Sequence, residues 1–240
     1  MRTRVTTANV NSEIQGDARR AAYTAAATGS DILCTQEDHT TPNSGALMPD
    51  GWATFQGATR RCSVHWRADL FELVESRSLL LNEANGLTFP AASRTAAVVV
   101  LRYKRNGETV KATSVHLVPH ADDDNQPGVL TTMPRGPKAV IPAIETLTRD
   151  SLEHPAEVEL IVGDVNVDLE SDLRIRDNGM AERFRAAGFV TDVEALGATP
   201  DTHGTQEYDW LLTKGGVWVG HETRAKGQSD HNAKTATVEY

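Results

Sequence analysis

Short apolar runs, many alternating with polar positions, recur along this chain and predict strands more often than helices. Arg4 to Val10 reads as a first strand. Ser12-Glu13-Ile14-Gln15 has the capping-box form, in which side chains at both ends satisfy free backbone N–H groups. An alanine-rich helix is expected from there to about Thr28, ended by Gly29. Asp31 to Thr35 is a short apolar strand. Val64 to Trp66, Leu70 to Leu81, Ala96 to Tyr103 and Thr109 to Leu117 follow as strands, the last two joined by the hairpin turn Asn106-Gly107. Val118 to Pro137 is a long loop with an acidic run, Asp122-Asp123-Asp124. Val140, Ile141, Ile144, Leu147 and Thr148 keep helical spacing, and Pro142, with no N–H to give, must sit in that helix's first turn or kink it. Leu160 to Val162 is a buried strand that stops at Gly163. A helix from about Asn178 to Ala187 ends at Gly188. Tyr208 to Thr213, Val217 to His221 and Thr235 to Val238 close the chain as strands. The pattern predicts an α/β (α+β) protein, with two packed, mixed or mostly antiparallel sheets and helices outside.

With 240 residues, 39% of them hydrophobic, the chain suits one domain over residues 1–240 with a sizeable core. It shows no low-complexity tract or internal repeat. No apolar stretch has the length of a signal peptide or a membrane span, so a cytoplasmic protein without membrane contact is expected. Cys34 and Cys62 have no metal-ligand spacing, and Cys34 reads as a small core residue. A reduced protein is expected, with one disulfide left open. The net charge of −9 argues against a broad basic surface that grips nucleic acid. A local basic groove stays open: Arg60-Arg61, Arg94, Arg102, Lys104, Arg105, Arg135 and Lys138 lie mid-chain, with scattered solvated charge as the plainer reading. Trp52, Trp66, Trp210 and Trp218 fall mostly in strands and read as core.

Candidate chemistry gathers at strand ends. In Leu160-Ile161-Val162-Gly163-Asp164-Val165-Asn166 an apolar strand gives way to a carboxylate and a carboxamide. Extended backbone would aim both at one point. Other polar clusters are Ala8-Asn9-Val10-Asn11, Thr35-Gln36-Glu37-Asp38, Ser114-Val115-His116, Tyr208-Asp209-Trp210 and Ser229-Asp230-His231. Each alone has a plain structural reading: a helix cap, a surface acid, a core histidine, a turn.

Taken in order, these residues resemble the endonuclease/exonuclease/phosphatase family, the DNase I-like metal-dependent phosphoesterases. The resemblance runs from Val5 to the C-terminus through Asn9, Gln36-Glu37, His116, Gly163-Asp164-x-Asn166, Asp209-Trp210 and Ser229-Asp230-His231. It implies a four-layer α/β sandwich with the site at one edge of two facing sheets. Two departures stand out: Glu207-Tyr208 where a basic and an aliphatic residue are usual, and Asn232-Ala233-Lys234 after the Ser-Asp-His motif. Both are expected beside the pocket, where they bear on substrate choice.

The resemblance implies a magnesium site, with manganese as an alternative. Glu37 is the first candidate ligand, and Asp230 and Asn9 are supporting ligands or groups behind them. Asp164 would orient or deprotonate the attacking water, and Asn166 would hold the water or a phosphate oxygen. His231 would contact the phosphate or act as base, with Asp209 fixing its tautomer. His116 would donate to an oxygen gaining charge. Whether Asp164 or His231 takes the proton stays open. Asp168, His120 and Asp122 to Asp124 are assigned to loops, and His39, His65, His154, His203 and His221 receive no role. The expected function is a nuclease on DNA or RNA, by default a monomer. The alternatives are a phosphatase or phosphodiesterase on a small or lipid-linked phosphoester, and an inactive relative serving as a binding module.

Overall fold

Alternation along the central strands decides how the layers stack. In a computed structural model, the described residues are 1–11, 13–38, 43–82, 93–118, 137–173, 179–198, 201–204, 206–224 and 229–240. The elements begin with β1 (Arg2–Asn9), α1 (Gly16–Ala27), β2 (Ile32–Gln36), a 3-10 turn (Ser44–Leu47), β3 (Trp52–Gln56), β4 (Cys62–Arg67), β5 (Phe71–Asn82), β6 (Arg94–Tyr103) and β7 (Thr109–His116). They continue with α2 (Pro137–Glu153), β8 (Val158–Asp164), α3 (Leu169–Leu173), α4 (Met180–Ala186), β9 (Val190–Thr191), α5 (Asp192–Leu196), β10 (Asp209–Lys214), β11 (Val217–Arg224) and β12 (Ala233–Glu239).

Two six-stranded sheets result, in the orders β11-β12-β1-β2-β4-β3 and β5-β6-β7-β8-β10-β9. Each has one parallel pair at its centre, β1 with β2 and β7 with β8, and antiparallel neighbours elsewhere. On β6, Ala97, Val99 and Leu101 face the other sheet, where they meet Val5, Ile32 and Val64. Ala96 and Val98 face outward, onto Val140, Ile144 and Leu147 of α2 and Phe184 of α4. Ala8 and Leu33 face Tyr23 and Ala26 of α1 on the opposite outside. Helix, sheet, sheet, helix is the four-layer sandwich.

A repetition absent from the residue pattern governs this topology. Strand, helix, parallel strand, short edge strand, antiparallel strand and hairpin occur in that order twice. The first set is β1, α1, β2, β3, β4 and the β5–β6 hairpin. The second is β7, α2, β8, β9, β10 and the β11–β12 hairpin. In each half the final hairpin joins the sheet of the other half: β6 pairs with β7 and β12 with β1.

Several expectations need correcting. α1 starts at Gly16 with Gln15 as its N-cap and no side-chain cap, so the box expected at Ser12 does not start it. Asn11 N donates to Asn9 Oδ1 and Glu13 N to Asn11 Oδ1, a tight turn that precedes the helix. α2 starts at Pro137 and holds Pro142 inside it, beyond the first turn. β8 does not stop at Gly163 but runs through it to Asp164. Gly163 has φ +150°, and a Cβ there would lie 2.0 Å from the Val115 carbonyl oxygen on β7. β3, β9, α3 and α5 are elements that the pattern did not predict. Residues 119–136, with His120, Asp122 to Asp124 and Arg135, lie outside the described residues, as do Ser12, His39 and Asn178. Cys34 and Cys62 are buried free thiols. No described helix is long and apolar enough to cross a membrane.

Candidate active site

The repetition brings strand ends to one edge. Asn9 ends β1 and Gln36 ends β2; His116 ends β7 and Asp164 ends β8. Asp209 opens β10 opposite Asp164, and His116 lies opposite it on the other side. Ser229, Asp230 and His231 stand just before β12. Ser229 Oγ donates to the Asn9 carbonyl at 2.7 Å, which ties this turn to β1.

Asp164 is the hub. Asn9 Nδ2 donates to its Oδ2 at 3.0 Å and to Glu37 Oε1 at 3.2 Å. The same Oδ2 lies 3.7 Å from His116 Nε2 and 3.9 Å from His231 Nε2. Burial, and then the neighbouring Asp209, raise the Asp164 pKa above the carboxylate range. For His231 burial acts downward, but Asp209, joined to its Nδ1 at 2.7 Å, outweighs it and raises the pKa. Asp209 therefore holds the ring with Nε2 facing the hub. Asp230 is reached by Asn11 Nδ2 at 3.3 Å, so Glu37 and Asp230 are linked through the Asn9–Asn11 turn.

The Asp164–Asn166 pair converges by a turn and not by strand alternation. Asn166 has φ +56°, its N–H donates to Asp164 Oδ1 at 2.9 Å, and its amide donates to the Leu117 carbonyl at 3.1 Å. Glu37 has φ +62° and Asn11 has φ +45°, so three of the four non-glycine positive-φ residues among those described belong to this cluster. Such strain persists only where surroundings impose it. Around Glu37, Arg19 Nη2 donates to its carbonyl at 3.0 Å, while Tyr23 and Thr35 both donate to the next side chain, Asp38.

All eight expected site residues, Asn9, Glu37, His116, Asp164, Asn166, Asp209, Asp230 and His231, thus fall at one edge. One role changes. Asn9 presents its amino group to Glu37 and Asp164, so as placed it orients these carboxylates and does not offer a ligand oxygen. Asp168 stays outside the cluster, where its carboxylate accepts from Ser171 Oγ and from Glu207 N.

Two residues of this edge were not singled out by motif. Arg94 opens β6, is 97% buried (3% exposed), and its Nε and Nη1 have no hydrogen-bond partner among the described residues. Burial and then Arg61 pull its pKa down to about 10, while Asp164 and Glu37 act the other way. Its guanidinium therefore lies within the field of the site acids. A cation heading an apolar strand was the available signal. Arg61 stands beside it, whereas Arg102 pairs with Glu72 and Lys104 lies past the far end of β6, roughly 30 Å along the strand. The second residue is His203, whose ring stands 4.6 Å from that of His231.

The two departures from the family pattern divide: Tyr208 is half-buried and stacks on His203, while Glu207 and Lys234 point into the interior. Glu207 and Lys234 are buried and paired with each other, and Lys234 Nζ also lies 2.8 Å from Asp192 Oδ2.

No family model matches the sequence, and no curated protein is significantly similar to it. Solved structures are. The chain has the four-layer fold of the endonuclease/exonuclease/phosphatase proteins. A Bacteroides vulgatus protein of that description superposes with a TM-score of 0.74 at 16% identity, covering 100% of this chain and 99% of its own. D. rerio TDP2 complexed with single-strand DNA product gives 0.69 at 13% identity, with 100% and 99% covered. A mannosyl-6-phosphatase from Bacteroides thetaiotaomicron gives 0.69 at 16%, with 99% and 100% covered. At such identities the likeness establishes the fold.

Proposed function

We propose that this chain is a divalent-cation-dependent phosphoester hydrolase, with magnesium as the first candidate ion and a nucleic-acid phosphodiester as substrate. One observation carries the reading: a buried carboxylate, Asp164, with Asn9 at 3.0 Å, His116 at 3.7 Å and His231 at 3.9 Å. Two imidazoles and a carboxylate around one point can take a proton from water and give hydrogen bonds to a phosphoryl oxygen.

The oxygens of Glu37 and Asp230 suit a hard cation, which prefers carboxylates and keeps several waters. Such an ion would polarise the phosphoryl group and offset its charge. Asp164 accepts the water's proton in this reading. His231, held by Asp209, and His116 donate to phosphate oxygens, and Asn9 keeps Glu37 and Asp164 apart and aligned. Arg94 offers guanidinium donors that match a phosphate. Proteins of this fold include D. rerio TDP2, complexed with a single-strand DNA product, and a B. thetaiotaomicron mannosyl-6-phosphatase, so both a polynucleotide and a small phosphoester fit the scaffold. The net charge of −9 favours a second reading, a small phosphoester in place of a long polyanion.

The test is a panel of plasmid, linear duplex, single-stranded DNA, RNA and small phosphomono- and diesters in magnesium. Each is run with and without EDTA and with Asp164→Asn. Polynucleotide cleavage that needs both metal and Asp164 is expected. Turnover of small phosphoesters alone moves the protein to the second reading, and turnover of nothing by the wild type overturns the proposal.

A further inference from the structure

We propose that His203, Asp230 and His231 form a second cation site, overlapping the first, that takes zinc, or a similar borderline transition metal, and not magnesium. Their candidate ligand atoms all lie within 4.8 Å of one another. The donor set is two imidazole nitrogens and one carboxylate, which suits zinc and does not suit an ion that demands oxygen.

The three donors are already held. Asp209 takes His231 Nδ1 at 2.7 Å and leaves Nε2 as the ligand atom, the carboxylate–histidine arrangement that orients metal-binding rings. His203 sits in a tight turn closed by backbone bonds with Gln206 at 3.0 and 2.9 Å, and its ring stacks on Tyr208. That turn is pinned from both sides. Thr202 Oγ1 accepts from Tyr208 N and Asp209 N, and the Thr202 carbonyl accepts from Asn232 N at 2.7 Å. The loop that carries His203 is therefore fastened both to the Asp209 strand and to the turn that carries Asp230 and His231. His203 Nε2 lies 3.8 Å from Asp230 Oδ2, and the two side chains are 39% and 56% exposed, so both can close onto an ion from the solvent side. Tetrahedral zinc at about 2.0 Å from each ligand needs ligand edges of about 3.3 Å, a closure of an ångström or so.

Occupation would tie up His231 Nε2 and draw Asp230 out of the magnesium pocket. Zinc is then an inhibitor, a consequence that rests on the hydrolase reading above; the binding itself does not.

The experiment titrates zinc alone into the metal-stripped full chain, in competition with a chromophoric chelator and without substrate. Wild type is expected to bind one equivalent, and His203→Ala to bind at least about tenfold more weakly. His154→Ala, an exposed histidine elsewhere, should match wild type. Cobalt in the same site should give the absorption of a tetrahedral ion in wild type and lose it in His203→Ala. No zinc binding, or equal affinity in His203→Ala, overturns the proposal. Where a substrate is turned over in magnesium, zinc should stop wild type and spare His203→Ala. Because binding is read without turnover, failure of the hydrolase reading leaves the site standing, and an active enzyme with no zinc affinity refutes the site alone.

Discussion

His65 sits fully inside the protein with both ring nitrogens occupied, Nε2 2.9 Å from Thr35 Oγ1 and Nδ1 2.8 Å from Thr54 Oγ1. Burial lowers its pKa to about 3. The unfolded chain, near its ordinary value of about 6.5, takes a proton that the folded chain refuses. This site's stability is therefore whole above about pH 6.5 and falls by about 1.4 kcal/mol per unit as pH drops from there toward 3. Urea unfolding at pH 7.5 and 5.0 should show wild type losing about 2 kcal/mol more than His65→Gln between the two; equal losses would refute the account. Lys234 carries a second residue-scale prediction. It is a fully buried ammonium between Glu207 and Asp192, and His221 Nδ1 lies 2.9 Å from the same Asp192. Removing one partner of a buried pair strands the other, so Lys234→Met should cost about 3–5 kcal/mol in denaturant unfolding. The double variant with Glu207→Met should recover part of that loss. Additive losses would mean that the pair is not coupled. The residue pattern flagged both positions as unusual but could not show that each answers the other across 27 residues.

Among the elements, α5 shows what a local signal can do. Thr191 Oγ1 accepts from Glu194 N at 3.1 Å, and Glu194 Oε2 accepts from Thr191 N at 3.0 Å, a complete capping box. Thr191→Ala should lower stability by about 1 kcal/mol, read as a shift in the urea midpoint, and no shift would mean that packing alone holds α5. Ahead of α1, Asn9 and Asn11 side chains take Asn11 N and Glu13 N into the turn that reaches Asp230, and the helix begins only at Gly16. The Thr191–Glu194 form stands in the sequence, yet α5 was not predicted, because a five-residue helix leaves no periodic apolar face to mark it. The long central strands were legible because both of their faces are buried, which leaves near-continuous apolar runs, as on β6 and β8. β3 and β9 were not, since a short edge strand is held by one neighbour and carries little pattern of its own. The site followed the same rule. Asn9, His116 and Asp164 end strands and could be located by order, whereas His203 joins them only through the fastened turn from 202 to 206.

For the whole molecule, the exchanged hairpins matter most. Residues 1–106 end with β5 and β6, which belong to the sheet of β7, and residues 107–240 end with β11 and β12, which belong to the sheet of β1. Neither half can cover its own edge. Each expressed alone should lack a cooperative unfolding transition, while the two co-expressed should assemble into a complex that regains one. A half that melts cooperatively by itself would refute this. The site inherits the same division: Asn9 and Glu37 come from one half, and His116, Asp164, Asp209, Asp230 and His231 from the other. There is also a consequence in time. Arg2 pairs with Glu239 and Thr7 with Lys234, so β1 is matched by a strand synthesised long after it. Non-local pairing of this kind slows folding, because a long loop must close before any contact rewards it. On the ribosome β1 has to wait, one edge open, until nearly all of the described chain has emerged, and that nascent edge is where a chaperone would be needed.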